Sequence, residues 1–188
     1  MDDNAGSSAP RDPHTFVAID FETADRYPDS ACAIALVRVE NWQITEQKCW
    51  LIRPPRKNFY FTYLHGISWR DVAEQPNFQE LWPSLREFMG TASFLAAHNA
   101  PFDRSVLHAC CRSARITPPG LRFRCTMEMA RRVWSIYPTK LPVVCARLGI
   151  PLNHHDAGSD AEACARIMIA ASRGNSMYAM SRQSDLNF

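Results

Sequence analysis

The sequence predicts one α/β domain built on a mixed sheet. Three observations carry that expectation. The chain has 188 residues, 46% of them apolar and 21% charged, enough for one core. Its first third holds short apolar runs bounded by turn residues. From Phe78 onward apolar positions recur at helical spacing and alternate with further short runs. Residues 1–14, rich in Asp, Ser and Pro without periodicity, read as a disordered leader, residues 15–173 as the domain, and residues 174–188 as a tail.

The elements follow in order. Strands are expected at Phe16–Ile19, at Ala33–Val39 and around Cys49–Ile52, meandering antiparallel. Phe78, Leu81, Trp82, Leu85, Phe88 and Met89 mark a helix, and Phe94–Ala97 a fourth strand. Pro101 suits the first turn of a helix whose apolar face is Phe102, Val106, Ala109 and Cys110. A strand at Phe123–Cys125 precedes a helix through Met127, Ala130 and Val133, then one through Leu141, Cys145 and Leu148 closed by Gly149. The last helix is expected to start at Ser159, with Ser159 and Glu162 as a capping box, and to end near Arg173 before Gly174.

Composition narrows the function. No run of 18 apolar residues occurs and the N-terminus opens with acids, so a membrane span and a secretory signal are not expected and a cytoplasmic protein is. Seven cysteines without a C-x-x-C pair read as reduced core residues. Charge is uneven: residues 1–103 carry 9 basic and 14 acidic side chains, residues 104–147 carry 9 and 1, and the remainder 3 and 4. Eighteen of the 21 basic residues are Arg, whose planar fork pairs with phosphate, so the middle block reads either as a solvated surface or as a polyanion-binding face.

Three motifs carry chemistry. Asp20-Phe21-Glu22-Thr23 ends the first strand, and period-two alternation puts Asp20 and Glu22 on one face. Their repulsion calls for a cation, and oxygen ligands favour Mg²⁺ or Mn²⁺. His98-Asn99-Ala100-Pro101-Phe102-Asp103 spans a strand-to-helix turn, with Asp103 in the first helical turn. His155-Asp156-Ala157-Gly158-Ser159-Asp160 leads into the last helix, where Asp160 shares the apolar stripe of Cys164, Ile167, Met168 and Ala171. Singly, each has an ordinary reading: solvated strand-end acids, a first-turn acid complementing the helix dipole, a loop histidine. Jointly they fall where open α/β sheets place ligands, and four carboxylates with one histidine form a set suited to two-metal phosphodiester cleavage. Zinc through His154, His155 and Asp156 is disfavoured, because adjacent histidines seldom point at one metal.

The order and spacing of these motifs resemble the DEDDh branch of the DnaQ-like 3′-to-5′ exonucleases, a family that includes the epsilon proofreading subunit of bacterial DNA polymerase III and ribonuclease T. The match covers about residues 15–173, and His65-Gly66-Ile67-Ser68 and Cys125-Thr126 resemble further family elements. The resemblance implies a ribonuclease H-like fold, a five-stranded mixed sheet flanked by helices. It implies two divalent cations, Mg²⁺ or Mn²⁺, on Asp20, Glu22, Asp103 and Asp160, with His155 as general base. Asp156 stands where the related tyrosine branch carries Tyr. Substrate contacts implied are Phe21, Thr23, His65, Gly66, Ile67, His98, Asn99 and Phe102, although Ile67 and Phe102 also suit core packing, and Phe59–Tyr63 supplies further rings. Arg104, Arg122, Arg124, Arg131 and Arg132 are cations available to the strand. Ala35 and Gly158-Ser159 depart from the family pattern, the latter with the expectation of a looser His155 loop.

The tail Gln183-Ser184-Asp185-Leu186-Asn187-Phe188 resembles bacterial sliding-clamp-binding peptides, with Gln183, Leu186 and Phe188 as the plugging residues. The expected function is therefore a metal-dependent 3′-to-5′ exonuclease on single-stranded or frayed DNA 3′ ends, releasing nucleoside 5′-monophosphates and tethered to a clamp. An RNA-trimming, oligoribonuclease-like enzyme shares the same residues, and a non-catalytic nucleic-acid- or clamp-binding module is the rival outside enzymology.

Overall fold

A computed structural model of the protein describes residues 15–184, with side chains described through Arg173. The elements are β1 (Phe16–Thr23), β2 (Ala31–Glu40), β3 (Gln43–Leu51), α1 (Thr62–His65), α2 (Trp69–Val72), α3 (Phe78–Met89), β4 (Phe94–Ala97), α4 (Ala100–Ser113), β5 (Arg122–Cys125), α5 (Thr126–Trp134), α6 (Leu141–Leu148) and α7 (Ala157–Ser184). The expected leader, residues 1–14, and Leu186 and Phe188 of the expected clamp peptide lie outside the described residues. Gln183 falls within the span of α7, which continues through Gly174 rather than ending near Arg173. No helix among the described residues is long and apolar enough to cross a membrane.

The five strands form one mixed sheet in the order β3-β2-β1-β4-β5. β3, β2 and β1 meander antiparallel, and β4 and β5 then run parallel to β1 after helical crossovers. β1 and β2 are nearly continuous apolar runs because helices cover both faces. On one face α3 and α4 press Leu81, Leu85, Val106, Leu107 and Cys110 against Val17, Ile19, Phe21, Ile34 and Leu36. On the other, α7 lays Ala157, Ala161, Cys164, Ala165 and Met168 over Ala18, Ala35, Val37 and Ala96, and the small residues let the helix approach the sheet closely. Ala35, one of the departures from the family pattern, belongs to this contact.

Several expectations need correction. α1 and α2 were invisible in the sequence because four-residue helices show no periodicity. Phe102 is 43% exposed, and the buried stripe of α4 runs instead through Asp103, Val106, Leu107, Cys110 and Cys111. All seven cysteines are unpaired as expected, but Cys49 is exposed on the edge strand β3 and Cys125 is half-buried.

Candidate active site

The site forms where β1 outruns its parallel neighbour. β4 pairs with β1 at Val17 and Ala18 and ends at Ala97, while β1 continues to Thr23 with β2 on its other edge. The Phe21 N–H thus released from strand pairing needs an acceptor, and Asp103 Oδ1, from the first turn of α4, takes it at 3.2 Å. One unpaired backbone group therefore anchors Asp103 between Asp20 and Glu22 in sequence register.

Asp20 and Glu22 share the face of β1 that carries Ala18, the face covered by α7. Asp160, in the first turn of α7, meets them there: Asp20, Glu22 and Asp160 each offer a carboxylate oxygen within 4.8 Å of the others. Burial pushes Asp20 well above the ordinary carboxylate value, and the charges of Asp103, Asp160 and Glu22 push it further. Glu22 is raised to about 8, by burial first and then by Asp160 and Asp156. Asp103 and Asp160 are raised too, mainly by burial. Asp103 Oδ2 and Asp160 Oδ1 are buried without a hydrogen-bond partner. Four crowded carboxylates, two of them with a buried oxygen left unpaired, are the donor set of a hard divalent cation, so the residues fit Mg²⁺ or Mn²⁺.

The histidine loop is set by the backbone. His155 adopts a left-handed conformation, φ 69°, uncommon outside glycine. α7 begins at Ala157 because Asp156 Oδ1 accepts the Ser159 N–H at 2.8 Å, so Asp156 supplies the cap expected of Ser159. Ser159 Oγ instead accepts the Asn153 N–H at 2.7 Å, and Glu162 pairs with Arg166. The loop is therefore pinned, contrary to the looseness expected from Gly158-Ser159. Gln47 on β3 donates to the Gly158 carbonyl at 3.0 Å, and a Cβ on Gly158 would lie 2.9 Å from Cys49 Sγ. Glycine here lets the loop rest against β3.

A residue outside the expected site joins it. His154 Nδ1 donates to Asp160 Oδ2 at 3.0 Å, and the His155 N–H donates to the same oxygen at 3.2 Å. The His154 and His155 rings stack with centroids 3.8 Å apart. The left-handed residue folds two adjacent side chains together, a local reversal that residue order does not reveal.

The expected substrate residues divide. Thr23, His65, Gly66 and Ile67 lie together at the end of β1. The Ile67 N–H donates to His65 Nδ1 at 3.1 Å, so Nε2 carries the proton and donates to the Thr23 carbonyl at 3.2 Å. Burial, with the nearby His155, lowers the His65 pKa and favours this neutral ring. Gly66 closes α1 in a left-handed conformation. Ile67 packs against the cluster of Ala24, Cys32 and Val72. Phe102 stands exposed, as do Tyr60 and Tyr63, while Asn99 precedes α4 in a left-handed conformation without a side-chain capping bond.

Two of these residues are otherwise engaged. The Phe21 side chain is in the core, leaving only its backbone at the site. His98 Nε2 donates to the Thr139 carbonyl at 2.8 Å and Nδ1 lies 2.8 Å from Thr126 Oγ1, so its ring ties β4 to α5 and the 139 loop. Among the basic candidates, Arg131 donates to Thr139 and Arg124 lies over the Phe94 ring. A cleft of about 730 Å³ opens beside the carboxylates, lined by Asp20, Asn99, Lys140, Pro142, His154 and Asp160 among others. Lys140 was hidden in the basic block, and only the fold distinguishes it from its neighbours.

An RNase_T family model, described as Exonuclease, matches residues 17–168. The DNA polymerase III subunit epsilon of Aquifex aeolicus is 30% identical over 168 residues, 82% of this chain and 79% of that protein. A DNA polymerase III PolC-type protein of Thermotoga petrophila is 27% identical over 159 residues, 82% of this chain and 12% of that protein. The chain spans a fifth or less of the length of the first curated relatives it matches. Among solved structures, exonuclease X in complex with 5′ overhanging duplex DNA superposes with a TM-score of 0.70 at 25% identity, covering 84% of this chain and 91% of that one. The nuclease domain of 3′hExo, a DEDDh family member bound to rAMP, shares the fold: TM-score 0.69 at 16% identity, covering 85% and 90%.

Proposed function

The chain belongs to the exonuclease family, and we propose that, as a member of its DEDDh type, it removes nucleotides one at a time from the 3′ end of single-stranded or frayed DNA, by a two-metal mechanism with a histidine base. The observation that carries this reading is the set of four carboxylates with two buried, unpartnered oxygens beside an open cleft. Asp20, Glu22 and Asp160 would hold the cation on the side of the attacking water, and Asp20 with Asp103 the second. Bound there, the two cations would acidify that water and stabilise the leaving 3′ oxygen. His155 takes the proton from the water through a ring nitrogen. Thr23 and the His65–Ile67 turn hold the terminal nucleotide at the end of β1, and Lys140 on the cleft rim offers its charge to a phosphate. The similar exonuclease X, solved in complex with 5′ overhanging duplex DNA, supports nucleic acid as substrate.

The test is a denaturing gel of 5′-labelled single-stranded DNA and RNA with Mg²⁺, with chelator, and with the His155→Ala protein. The expected outcome is a metal-dependent ladder shortening from the 3′ end, slowed at least about 100-fold by His155→Ala. The faster-cut strand gives the preferred sugar. Intact strands under conditions where gel shifts show binding would favour the non-catalytic module. The clamp tether through Gln183, Leu186 and Phe188 remains part of this proposal.

A further inference from the structure

The cation chemistry of this loop is not exhausted by the carboxylates. His154, His155 and Asp160 form a second group in which a ring nitrogen of each histidine and a carboxylate oxygen lie within 4.8 Å of one another. The sequence argued against such a pair, since side chains of adjacent residues normally diverge, but the left-handed His155 backbone brings the two rings into a stack. His154 Nδ1 already lies 3.0 Å from Asp160 Oδ2, close to the spacing of neighbouring ligands around a tetrahedral ion with bonds of about 2.0–2.1 Å. Asp160 is 5% exposed, and its Oδ1 has no hydrogen-bond partner. The Asp160 carboxyl is thus held in place through Oδ2, with Oδ1 left free, beside two imidazoles.

We propose that His154, His155 and Asp160 form a binding site for a borderline-soft divalent cation, Zn²⁺ in particular, that overlaps the carboxylate cluster and is selective against Mg²⁺. Two nitrogens and one oxygen suit Zn²⁺ and leave its fourth tetrahedral position open, whereas Mg²⁺ demands oxygen donors in octahedral array. Zn²⁺ takes the lone pair of His154 Nδ1 once that ring shifts its proton to Nε2, so no net proton is released there. Asp160 belongs to both donor sets, and His155 is the proposed base. Zn²⁺ in this site therefore withdraws a ligand and the base together and inhibits cleavage, a consequence that rests on the exonuclease reading, whereas the binding itself does not.

Zinc affinity of the full chain in excess Mg²⁺, measured by competition with a chromogenic zinc indicator, tests the site. One Zn²⁺ per chain is expected. His154→Ala should weaken it at least about tenfold, since even groups one layer outside the ligands are worth about 10- to 100-fold in affinity. Cys49→Ser should leave it within about threefold, because that thiol is not a donor of this site. His154→Gln keeps a donor for Asp160 without an imidazole, so it separates lost zinc binding from lost folding; it too should bind at least about tenfold more weakly. Co²⁺ in place of Zn²⁺ should give the intense visible bands of tetrahedral coordination in wild type and not in His154→Gln. Affinity unmoved by both His154 variants, or lost with Cys49→Ser, overturns the proposal. Zinc bound as expected by a chain that cuts no strand would leave this site standing and remove the exonuclease reading instead.

Discussion

Glu22 and Asp25 are three residues apart, yet they sit in opposite electrostatic worlds. Asp25 is 2% exposed and fully engaged: its Oδ1 accepts the Tyr27 N–H at 2.8 Å and its Oδ2 the Arg56 Nε–H at 3.0 Å. The same guanidinium pairs with Asp29 and lies over the Tyr27 ring. Burial alone would raise Asp25, but Arg56, the Tyr27 N–H and the Ser30 hydroxyl outweigh it and hold the carboxyl below its usual range. Asp29 is lowered chiefly by Arg56. Among the described residues no guanidinium pairs with Glu22, and every site carboxylate is raised. The described residues thus supply a counter-ion to the acids that hold this loop and none to the crowded carboxylates of the candidate site, the distribution expected if the latter await an external cation.

Replacing an acid on the uncompensated side breaks the comparison most severely. Asp20→Asn keeps size and packing but removes the charge most strongly crowded by its neighbours. Turnover on a 5′-labelled strand should fall at least about 1000-fold, the equivalent of several kcal/mol of lost transition-state stabilisation. Thermal unfolding in chelator should show no loss of stability, because a repulsion has been removed. Undiminished turnover would mean that the carboxylates do not serve the chemistry.

Both regions were legible to different depths. Asp20 and Glu22 could be paired from strand alternation, and Asp103 and Asp160 could be placed on first helical turns, because those relations are local and periodic. The Asp103 bond to the Phe21 N–H depends on β4 ending before β1, a long-range fact that no window of sequence holds. The Arg56 clamp joins residues 31 and 27 positions apart through a loop without regular period. His154 was missed because one left-handed residue decides its direction, and Gly158 was misread because its neighbour Cys49 comes from β3. Ser159 matched a capping pattern, but Asp156, three residues earlier, accepts the Ser159 N–H and starts the helix first, so Ser159 lies inside it.

Arg56→Ala tests the compensated side. Removing the partner of a buried charge costs about 3–5 kcal/mol, and because the Arg56 side chain is 32% exposed, water recovers part of that. A loss of about 2–3 kcal/mol is expected by denaturant unfolding, equal with and without Mg²⁺. A loss that Mg²⁺ reverses would join the two regions into one electrostatic unit and erase the contrast.

The smallest effect sharpens the contrast through pH. Asp25, with its pKa lowered, contributes stability that is present above the ordinary aspartate range and is lost as pH falls through its folded value. Glu22 has the opposite sign. Its folded pKa is raised from 4.5 to about 8, so its contribution is complete below the ordinary glutamate value and is lost as pH rises toward about 8. The chelated protein should therefore lose stability on both arms, the acid arm set by the Arg56 pairs and the alkaline arm by the site. Glu22→Gln should flatten the alkaline arm and add on the order of 1 kcal/mol near pH 8, less than the full shift implies because Glu22 keeps contact with water. Mg²⁺ should flatten the same arm in wild type and do nothing further in the acid arm. Melting temperatures across pH, in chelator and in Mg²⁺, separate the two: an alkaline arm indifferent to both the substitution and the ion would mean that the site carboxylates are solvated, and that the difference between Glu22 and Asp25 is only one of burial.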